Sequence, residues 1–235
     1  MQTRTKFPHS VVPAGISHVN GQYTSILKKA SDNAKLSNDK AGVWTKGAFK
    51  GLPLYSLTLE ERATCEVTCA AWDLCYGNHM AFASRWDVTQ DNGHRLMTIL
   101  EEELDILDIH HPSGYSIRLH ILGDFFSTSY VAWWGKMLRL HPLLKVYGYS
   151  HRTGTIGRAI TRIYNSYPGR FVIFNSDGNI SSIGKSNSRP LALLETTKGA
   201  NQLPTCPKQT HKTESCLTCG LCTNPNVKGV TFELH

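Results

Sequence analysis

Alternating strands and helices in the middle of the chain place the strongest constraint on its fold. Apolar and polar residues alternate over 116–121, which is typical of a strand with one buried face. The same criteria predict two more strands and three helices, over 145–151 and 170–176 and over 94–109, 130–140 and 155–164. Parallel strands joined by a helix form a right-handed crossover. The sequence therefore predicts an α/β fold around a parallel sheet.

The segments that flank this core have weaker patterns. Short helices are predicted over 24–34 and 78–88, and further strands near 190–195 and 228–233. We expect three parts: a basic, partly extended N-terminal arm, a (β/α) core that carries a three-cysteine loop, and a cysteine-rich metal-binding segment, over 1–60, 61–184 and 185–235.

Charge is distributed unevenly along the chain, whose formal net charge is +7. Residues 1–51 contain eight Lys and Arg against two Asp and Glu, and residues 185–235 contain six against three. Basic ends of this kind can bind a polyanion such as nucleic acid, although they can also be ordinary solvated termini. No apolar run is long enough to span a membrane, and the N-terminus lacks the apolar core of a signal peptide. We therefore expect a cytoplasmic protein without a membrane partner.

Seven cysteines divide into a group of three and a group of four. The first group, the three-cysteine loop, has the spacing CxxxCxxxxxC and consists of Cys65, Cys69 and Cys75. The second, the four-cysteine segment, has the spacing Cx9CxxCxxC and consists of Cys206, Cys216, Cys219 and Cys222. An odd number of clustered thiols argues against a closed disulfide framework and favours metal binding.

Each group is compatible with more than one metal. The three-cysteine loop suits a 4Fe–4S cluster with one iron left open, or zinc with His79 or His94 as fourth ligand, or buried structural thiols. The four-cysteine segment suits a second 4Fe–4S cluster or a zinc site. The two groups could also meet in space and share one site.

Polar residues follow each predicted strand, where ligands usually bind in parallel α/β folds. The cofactor-binding candidates are Gly123, Asp124, His151, Arg152, Asn175 and Ser176. Asp124, His120 and Tyr149 are the catalytic candidates. His120 and Arg118 are expected on one strand face, where they could contact a carboxylate or phosphate, and Tyr149 could stack on a ligand or quench a radical.

A three-cysteine loop ahead of the first helix of an α/β core resembles the start of radical S-adenosylmethionine enzymes. That resemblance implies a partial (β/α) barrel in which the open iron binds S-adenosylmethionine. Leu122-Gly123-Asp124 would then match the element that binds the methionine amino group. The usual spacing in those enzymes is CxxxCxxC, so this chain has three additional residues before Cys75.

A closer resemblance is to the phage gene product 88 family. It covers residues 28–224 and is carried by Asn33-Ala34-Lys35-Leu36, Cys75-Tyr76, RLHILGDFFS, YGYSHR and the terminal cysteines from Cys206. Together the resemblances imply an iron–sulfur protein that cleaves S-adenosylmethionine in the host cytoplasm with a reductant protein as partner, acting on an unknown substrate such as a nucleotide or nucleic acid. The alternatives are a zinc protein that binds nucleic acid and a cluster protein that only carries electrons.

Overall fold

The computed structural model describes residues 5–13, 18–19, 22–23, 26–37, 39–69, 72–73, 75–176, 187–190, 203–227 and 229–232. Its strands are β1 Val11–Pro13, β2 His18–Val19, β3 Gln22–Tyr23, β4 Lys28–Lys29, β5 Leu54–Ser56, β6 Arg85–Asp87, β7 Tyr115–Leu119, β8 Leu144–Ser150, β9 Phe171–Asn175, β10 Asn187–Pro190 and β11 Gly229–Phe232. Its α-helices are α1 Glu61–Thr64, α2 His94–His110, α3 Thr128–Leu140, α4 Gly154–Ser166 and α5 Cys216–Cys219. Single 3₁₀ turns lie at Pro8–Ser10, Ala30–Asp32, Tyr76–His79 and Leu221–Thr223.

One mostly parallel sheet organises the fold. Its seven strands run in the order β11-β10-β9-β8-β7-β5-β4, and only β4 is antiparallel to its neighbour. The two edge strands do not pair with each other among the described residues, so the sheet is open. Separate two-stranded pairs are formed by β1 with β6 and by β2 with β3. The predicted strands and helices of the core are thus present as a mixed α/β fold.

The three long helices cover one face of the sheet. Strand residues that point to this side pack with the apolar faces of α2, α3 and α4 in a single cluster, which includes Ile117, Val146, Ile173, Leu100, Leu104, Trp134, Leu138 and Ile160. The helices begin and end as their sequences predict: the Ser127 hydroxyl accepts from the Tyr130 amide, and α3 ends before Pro142.

The opposite face of the sheet is covered by the two ends of the chain. Alternate residues of β8 and β9 point to this side, where Tyr147 and Phe174 pack with Trp44 and Leu36 from the N-terminal part and with Leu217 from the four-cysteine segment. The Trp44 indole N–H donates to the Ser116 hydroxyl at 2.8 Å, which fixes the N-terminal part against β7. The sheet therefore separates a helical side from a cysteine-bearing side.

Residues 26–60 differ from the extended arm that the sequence predicts. Ile26, Leu36, Phe49 and Leu59 are fully or almost fully buried, and β5 pairs in parallel with β7 inside the main sheet. Apolar residues without helical or strand periodicity are buried here by contacts distant in sequence, which a local pattern does not reveal. The described part of this basic segment is thus part of the fold.

Two of the short-element predictions are wrong and one is close to the structure. The helix predicted over 78–88 is replaced by a 3₁₀ turn and strand β6, and the one over 24–34 by β4 and a 3₁₀ turn. Strand β11 lies within the predicted 228–233. Of the strand predicted near 190–195, all but Pro190, the last residue of β10, lies outside the described residues. None of the helices in the described residues is long and apolar enough to span a bilayer.

Candidate metal centres

The three-cysteine loop lies at the carboxyl end of the sheet, directly after α1. All three thiols are free and partly exposed. Burial raises the pKa of Cys65 well above its usual value, and the nearby Asp124 carboxylate raises it further, together with Cys69 and Cys75. Arg152 acts in the opposite direction and favours the thiolate. Cys65 thus lies at the meeting point of the loop with the ends of β7 and β8.

Asp124 joins the ends of these two strands. Its carboxylate accepts hydrogen bonds from the Ser150 hydroxyl at 2.7 Å, from the His151 amide at 2.8 Å and from its neighbour, the Phe125 amide, at 2.7 Å. The side chain is almost completely buried, and burial raises its pKa while these three donors lower it. The structure therefore gives Asp124 a positioning role at the strand ends, beside Cys65.

Arg152 ties the end of β8 to the three-cysteine loop. Its guanidinium donates to the Glu66 carboxylate at 3.0 Å and to the backbone carbonyl oxygen of Thr64. Glu66 lies between Cys65 and Cys69, so this ion pair sets the position of the loop relative to the sheet. The guanidinium Nε is buried without a hydrogen-bond partner.

Gly123 has a backbone conformation that favours glycine, with φ +85°. A Cβ atom at this position would lie 2.7 Å from both the Leu59 Cβ and the Thr64 Oγ1. The Thr64 hydroxyl also accepts from the Asp124 amide at 3.2 Å. Glycine therefore allows the α1 segment to approach the strand end closely, whereas the sequence suggested that it makes room for a ligand.

The remaining cofactor candidates lie at the same edge of the sheet. Asn175 is buried at the end of β9, and the Ser176 amide donates to the Ser150 carbonyl oxygen at 2.8 Å. The structure thus brings Asp124, His151, Arg152, Asn175 and Ser176 together along three neighbouring strand ends. Asp177, which the sequence also places here, lies outside the described residues.

His120 does not lie where the sequence predicts. Strand β7 ends at Leu119, and the His120 ring lies in the helical side of the core, stacked on Tyr130 and in edge contact with Phe125. Its Nε2 is 3.1 Å from the Tyr130 hydroxyl, and burial lowers its pKa to about 3. The prediction that it shares a catalytic face with Arg118 is therefore wrong, because the strand alternation stops one residue earlier.

The four-cysteine segment docks on the N-terminal part of the chain through its backbone. The Cys216 and Leu217 amides donate to the carbonyl oxygens of Lys35 and Leu36 at 3.0 and 3.1 Å, and the Thr45 amide donates to the Leu217 carbonyl oxygen at 3.1 Å. Ser215 caps α5 with a reciprocal pair of hydrogen bonds to Thr218. The cysteines are consequently held on a defined backbone over the sheet.

All four cysteines of this segment line one pocket against the sheet. The pocket is also lined by the cations Lys35, Arg118 and Lys208 and by aromatic side chains, among them Trp44, Tyr147, Tyr149 and Phe232. Burial raises the pKa of the Cys216 thiol, whereas Arg118 and Lys35 lower it. The Arg118 guanidinium is thus placed at the four-cysteine side of the sheet.

Tyr149 belongs to this pocket and not to the edge that carries Asp124. Burial raises the pKa of Cys222 to about 12, while a hydrogen bond from the Tyr149 hydroxyl opposes that rise. The tyrosine ring packs against Phe174 and Phe232. Tyr149 is therefore a partner of the four-cysteine segment, because successive residues of β8 point to opposite faces.

Tyr76 lies between the two cysteine groups. It follows Cys75 in the chain, its hydroxyl donates to the Ile121 carbonyl oxygen, and its ring centroid is 5.8 Å from the Lys35 ammonium. Burial raises the pKa of the Tyr76 hydroxyl to about 12, the Arg118 charge lowers it, and the Cys75 thiol raises it. Tyr76 therefore adjoins the three-cysteine loop and lies close to Lys35 of the four-cysteine pocket.

The seven cysteines of the two groups form no disulfide. Among the described residues, no three His, Cys, Asp or Glu side chains are already arranged around a single ion position, and neither His79 nor His94 completes such a set. Lys35, Tyr76 and Trp44 were not candidates from the sequence, because they occur in segments without periodicity. The Asn33-Ala34-Lys35-Leu36 and Cys75-Tyr76 motifs could have drawn attention to Lys35 and Tyr76.

Fold and site define an α/β protein with an open, mostly parallel sheet, one thiol group at the strand ends and a second on the face opposite the three long helices. The chain belongs to the gene product 88 family, because the sequence model of that family matches residues 25–225. Over 123 aligned residues it is 29% identical to the Gene 88 protein of Mycobacterium phage L5. The aligned region covers 46% of this chain and 50% of that protein. The chain thus spans about half the length of this curated relative, and no solved structure matches it. The phage relative supports a bacteriophage origin.

Proposed function

We propose that this protein is an iron–sulfur enzyme that cleaves S-adenosylmethionine reductively and acts on a nucleotide or nucleic-acid substrate. The observation that carries the proposal is the attachment of the three-cysteine loop to the carboxyl ends of β7 and β8 through Asp124 and Arg152. Ligands bind at this edge in open parallel sheets. The partial barrel implied by radical S-adenosylmethionine enzymes belongs to the same proposal.

The residues of the loop fit a cluster that keeps one open iron. Three free thiols can hold three irons of a 4Fe–4S cluster. The donor set is soft, as iron–sulfur ligation requires, and Arg152 supplies a positive charge beside Cys65 that favours its ionised form. When bound and reduced, such a cluster would supply the electron for cleavage of S-adenosylmethionine into methionine and a 5′-deoxyadenosyl radical. That radical would take a hydrogen atom from the substrate and become 5′-deoxyadenosine.

This chain's own residues would hold the loop and the ligand edge in place. Asp124 fixes the His151 amide and the Ser150 hydroxyl, so the ends of β7 and β8 keep one relative position. Arg152 donates a hydrogen bond to Glu66 inside the loop and so holds the loop in a fixed position relative to these strand ends. Asn175 and Ser176, on the adjoining strand end, are the residues that we assign to the nucleoside part of the ligand.

A surface next to the loop supports a nucleotide or nucleic-acid substrate. The Arg62 guanidinium lies 4.4 Å from the centroid of the Trp72 ring and donates to the Asn78 side-chain oxygen at 2.7 Å. Lys6 and Asp73 complete the same pocket. An aromatic ring beside two cations suits a base and its phosphate.

The test is reductive cleavage by protein purified without oxygen. With dithionite and S-adenosylmethionine, we expect 5′-deoxyadenosine from the unchanged protein and none from Cys65→Ser. Val67→Ala, in the same loop with an exposed side chain, is the matched control and should keep the activity. A protein that holds iron and sulfide yet neither binds nor cleaves S-adenosylmethionine would overturn the proposal and favour an electron carrier.

The second candidate is a non-catalytic metal protein that binds nucleic acid. The observation in its favour is that the four-cysteine segment joins the N-terminal part to the sheet, as a structural zinc site does. Two zinc ions per chain with nucleic-acid binding would support it.

If the cluster enzyme is correct, an electron-donating protein of the host cytoplasm is the partner that replaces dithionite.

A further inference from the structure

Three cations, Arg118, Lys35 and Lys208, line the four-cysteine pocket. Arg118 extends from β7 and is only 8% exposed. Lys35 is half-buried beside it. A buried cation with other cations beside it is unfavourable unless an anion lies next to them.

No carboxylate supplies that anion in the described part of the chain. The ion pairs found there include neither Lys35 nor Arg118, and the Arg118 Nε is buried without a hydrogen-bond partner. The cysteines of the pocket face these cations together with Tyr147 and Tyr149. An arginine keeps its charge in any protein environment, and of these groups the thiols are the ones that become anions when they bind a metal.

The charge of a tetrathiolate centre matches the two cations. Four thiolates carry four negative charges, and either Zn²⁺ or an oxidised 4Fe–4S core carries two positive charges, which leaves a net charge of −2. Arg118 and Lys35 match this net charge, and the partly exposed Lys208, which also lines the pocket, adds a third positive charge beside it. Four neutral, metal-free thiols do not provide this balance.

We propose that Lys35 and Arg118 are the built-in counter-charges of a tetrathiolate metal centre formed by Cys206, Cys216, Cys219 and Cys222. Arg118 is a positioning residue here: it acts on the metal through the thiolates and touches neither substrate nor metal. The Tyr149 hydroxyl adds a hydrogen bond to Cys222, which stabilises the thiolate further. The inference concerns this centre alone and does not depend on cleavage of S-adenosylmethionine.

If Arg118 is a counter-charge, the effect of Arg118→Met on stability should differ between the metal-stripped and the metal-loaded protein. In metal-stripped protein, the substitution removes an uncompensated buried charge, so the melting temperature should stay equal or rise. In metal-loaded protein, it removes half of the compensation, so the metal should leave faster. Substitutions of groups that support metal ligands typically weaken metal binding by about 10- to 100-fold.

The experiment uses the full chain with the three cysteines of the loop changed to serine, so that all bound metal belongs to the four-cysteine centre. Iron, sulfide and zinc per chain identify the centre as a cluster or a zinc site. Chelator-driven release and melting temperature are then measured for Arg118→Met, Arg118→Lys and Lys35→Met. Arg158→Met, on the exposed side of α4, is the control.

We expect about tenfold or faster release from Arg118→Met and Lys35→Met, and near-normal release from Arg118→Lys and Arg158→Met. Unchanged metal content and release in Arg118→Met would overturn the inference. So would an equal loss of melting temperature in its stripped and loaded forms, since that is the result of a purely structural arginine. Loss of metal in the Cys216→Ser variant confirms that the four-cysteine segment is the binding site, and full retention would also overturn the inference.

Discussion

Gly47 and Gly220 approach each other so closely that neither position has room for a side chain. A Cβ on Gly47 would lie 2.5 Å from the Gly220 carbonyl oxygen, and a Cβ on Gly220 would lie 2.6 Å from the Gly47 Cα. Both residues have positive φ, and the Thr223 hydroxyl accepts from the Ala48 amide beside them at 3.0 Å. This contact seats the four-cysteine segment on the N-terminal part.

Gly220→Ala should therefore destabilise the protein by about 3 kcal/mol, combining the strain of positive φ with overpacking against backbone. Gly51→Ala is the matched control, because Gly51 also has positive φ but nothing lies within 4 Å of its Cβ position. It should cost about 1 kcal/mol. Urea unfolding measures both, and equal losses would show that the close approach contributes nothing.

The buried ion pair between Glu61 and Arg85 is expected to be essential for folding around the three-cysteine loop. Arg85 is fully buried, its Nε is 2.7 Å from the Glu61 carboxylate, and its other nitrogens donate to Ser10 and to carbonyl oxygens that include Gly77. Glu61→Gln leaves this guanidinium without a charge partner, so we expect a loss of about 3–5 kcal/mol in the free energy of unfolding.

The exposed pair between Lys136 and Glu101 provides the comparison for that prediction. Its nitrogen–oxygen distance is 2.9 Å, but both side chains are more than a third exposed. Lys136→Met should change the free energy of unfolding by less than about 1 kcal/mol. If Glu61→Gln lowers the free energy of unfolding by no more than this, the buried ion pair does not fix the position of the α1 segment.

Glu60 should give the protein a pH-dependent stability near neutrality. Its side chain is buried, and burial together with the neighbouring Glu61 raises its pKa to about 7, while the backbone amides of Ala63 and Arg62 oppose that rise. A carboxyl whose pKa is higher in the folded state stabilises most when protonated, so its contribution falls as pH rises from about 4.5 to about 7.

Glu60→Gln should remove that dependence. Relative to the unchanged protein, the variant should gain about 1–3 kcal/mol at pH 8, and the gain should shrink as the pH falls to 5. Urea unfolding of both proteins across this range isolates the Glu60 contribution, since all other titrating groups cancel. A difference that stays constant with pH would contradict the raised pKa.

Asp124 is expected to hold the strand ends through hydrogen bonds that an amide cannot reproduce. Asp124→Asn places an NH₂ group against the Ser150, His151 or Phe125 donor, so at least one hydrogen bond is lost and the free energy of unfolding should fall by about 2–4 kcal/mol. Ser150→Ala removes one donor only and should cost about 1 kcal/mol. Similar small losses in both variants would show that Asp124 is not the joint between β7 and β8.

The sequence predicts those parts of this fold whose signals are local. The strands over 116–121, 145–151 and 170–176 and their helices follow from periodicity and capping. Strand β6 could not be predicted in this way, because Arg85 is buried by its ion pair and by pairing of β6 with β1. Strand β5 likewise becomes a strand only through its pairing with β7.

The candidate sites were predictable to a similar extent. Cysteine spacing separates the two groups, and strand ends predict the positions of Asp124 and Arg152. The side of the sheet that each side chain faces was not predictable where a strand ends early, as at His120. The counter-charge position of Arg118 depends on the docking of a segment about a hundred residues away, which no local pattern encodes.

Metal analysis of anaerobically purified protein shows whether the two cysteine groups hold iron–sulfur clusters. If both cysteine groups hold 4Fe–4S clusters, each chain should contain about eight irons and about as many sulfides, and the protein should absorb light at about 400 nm. About four irons with one zinc would place zinc at the four-cysteine centre and retain the cluster at the three-cysteine loop. Two zinc ions, no sulfide and no such absorbance would contradict the account of this protein as an iron–sulfur enzyme.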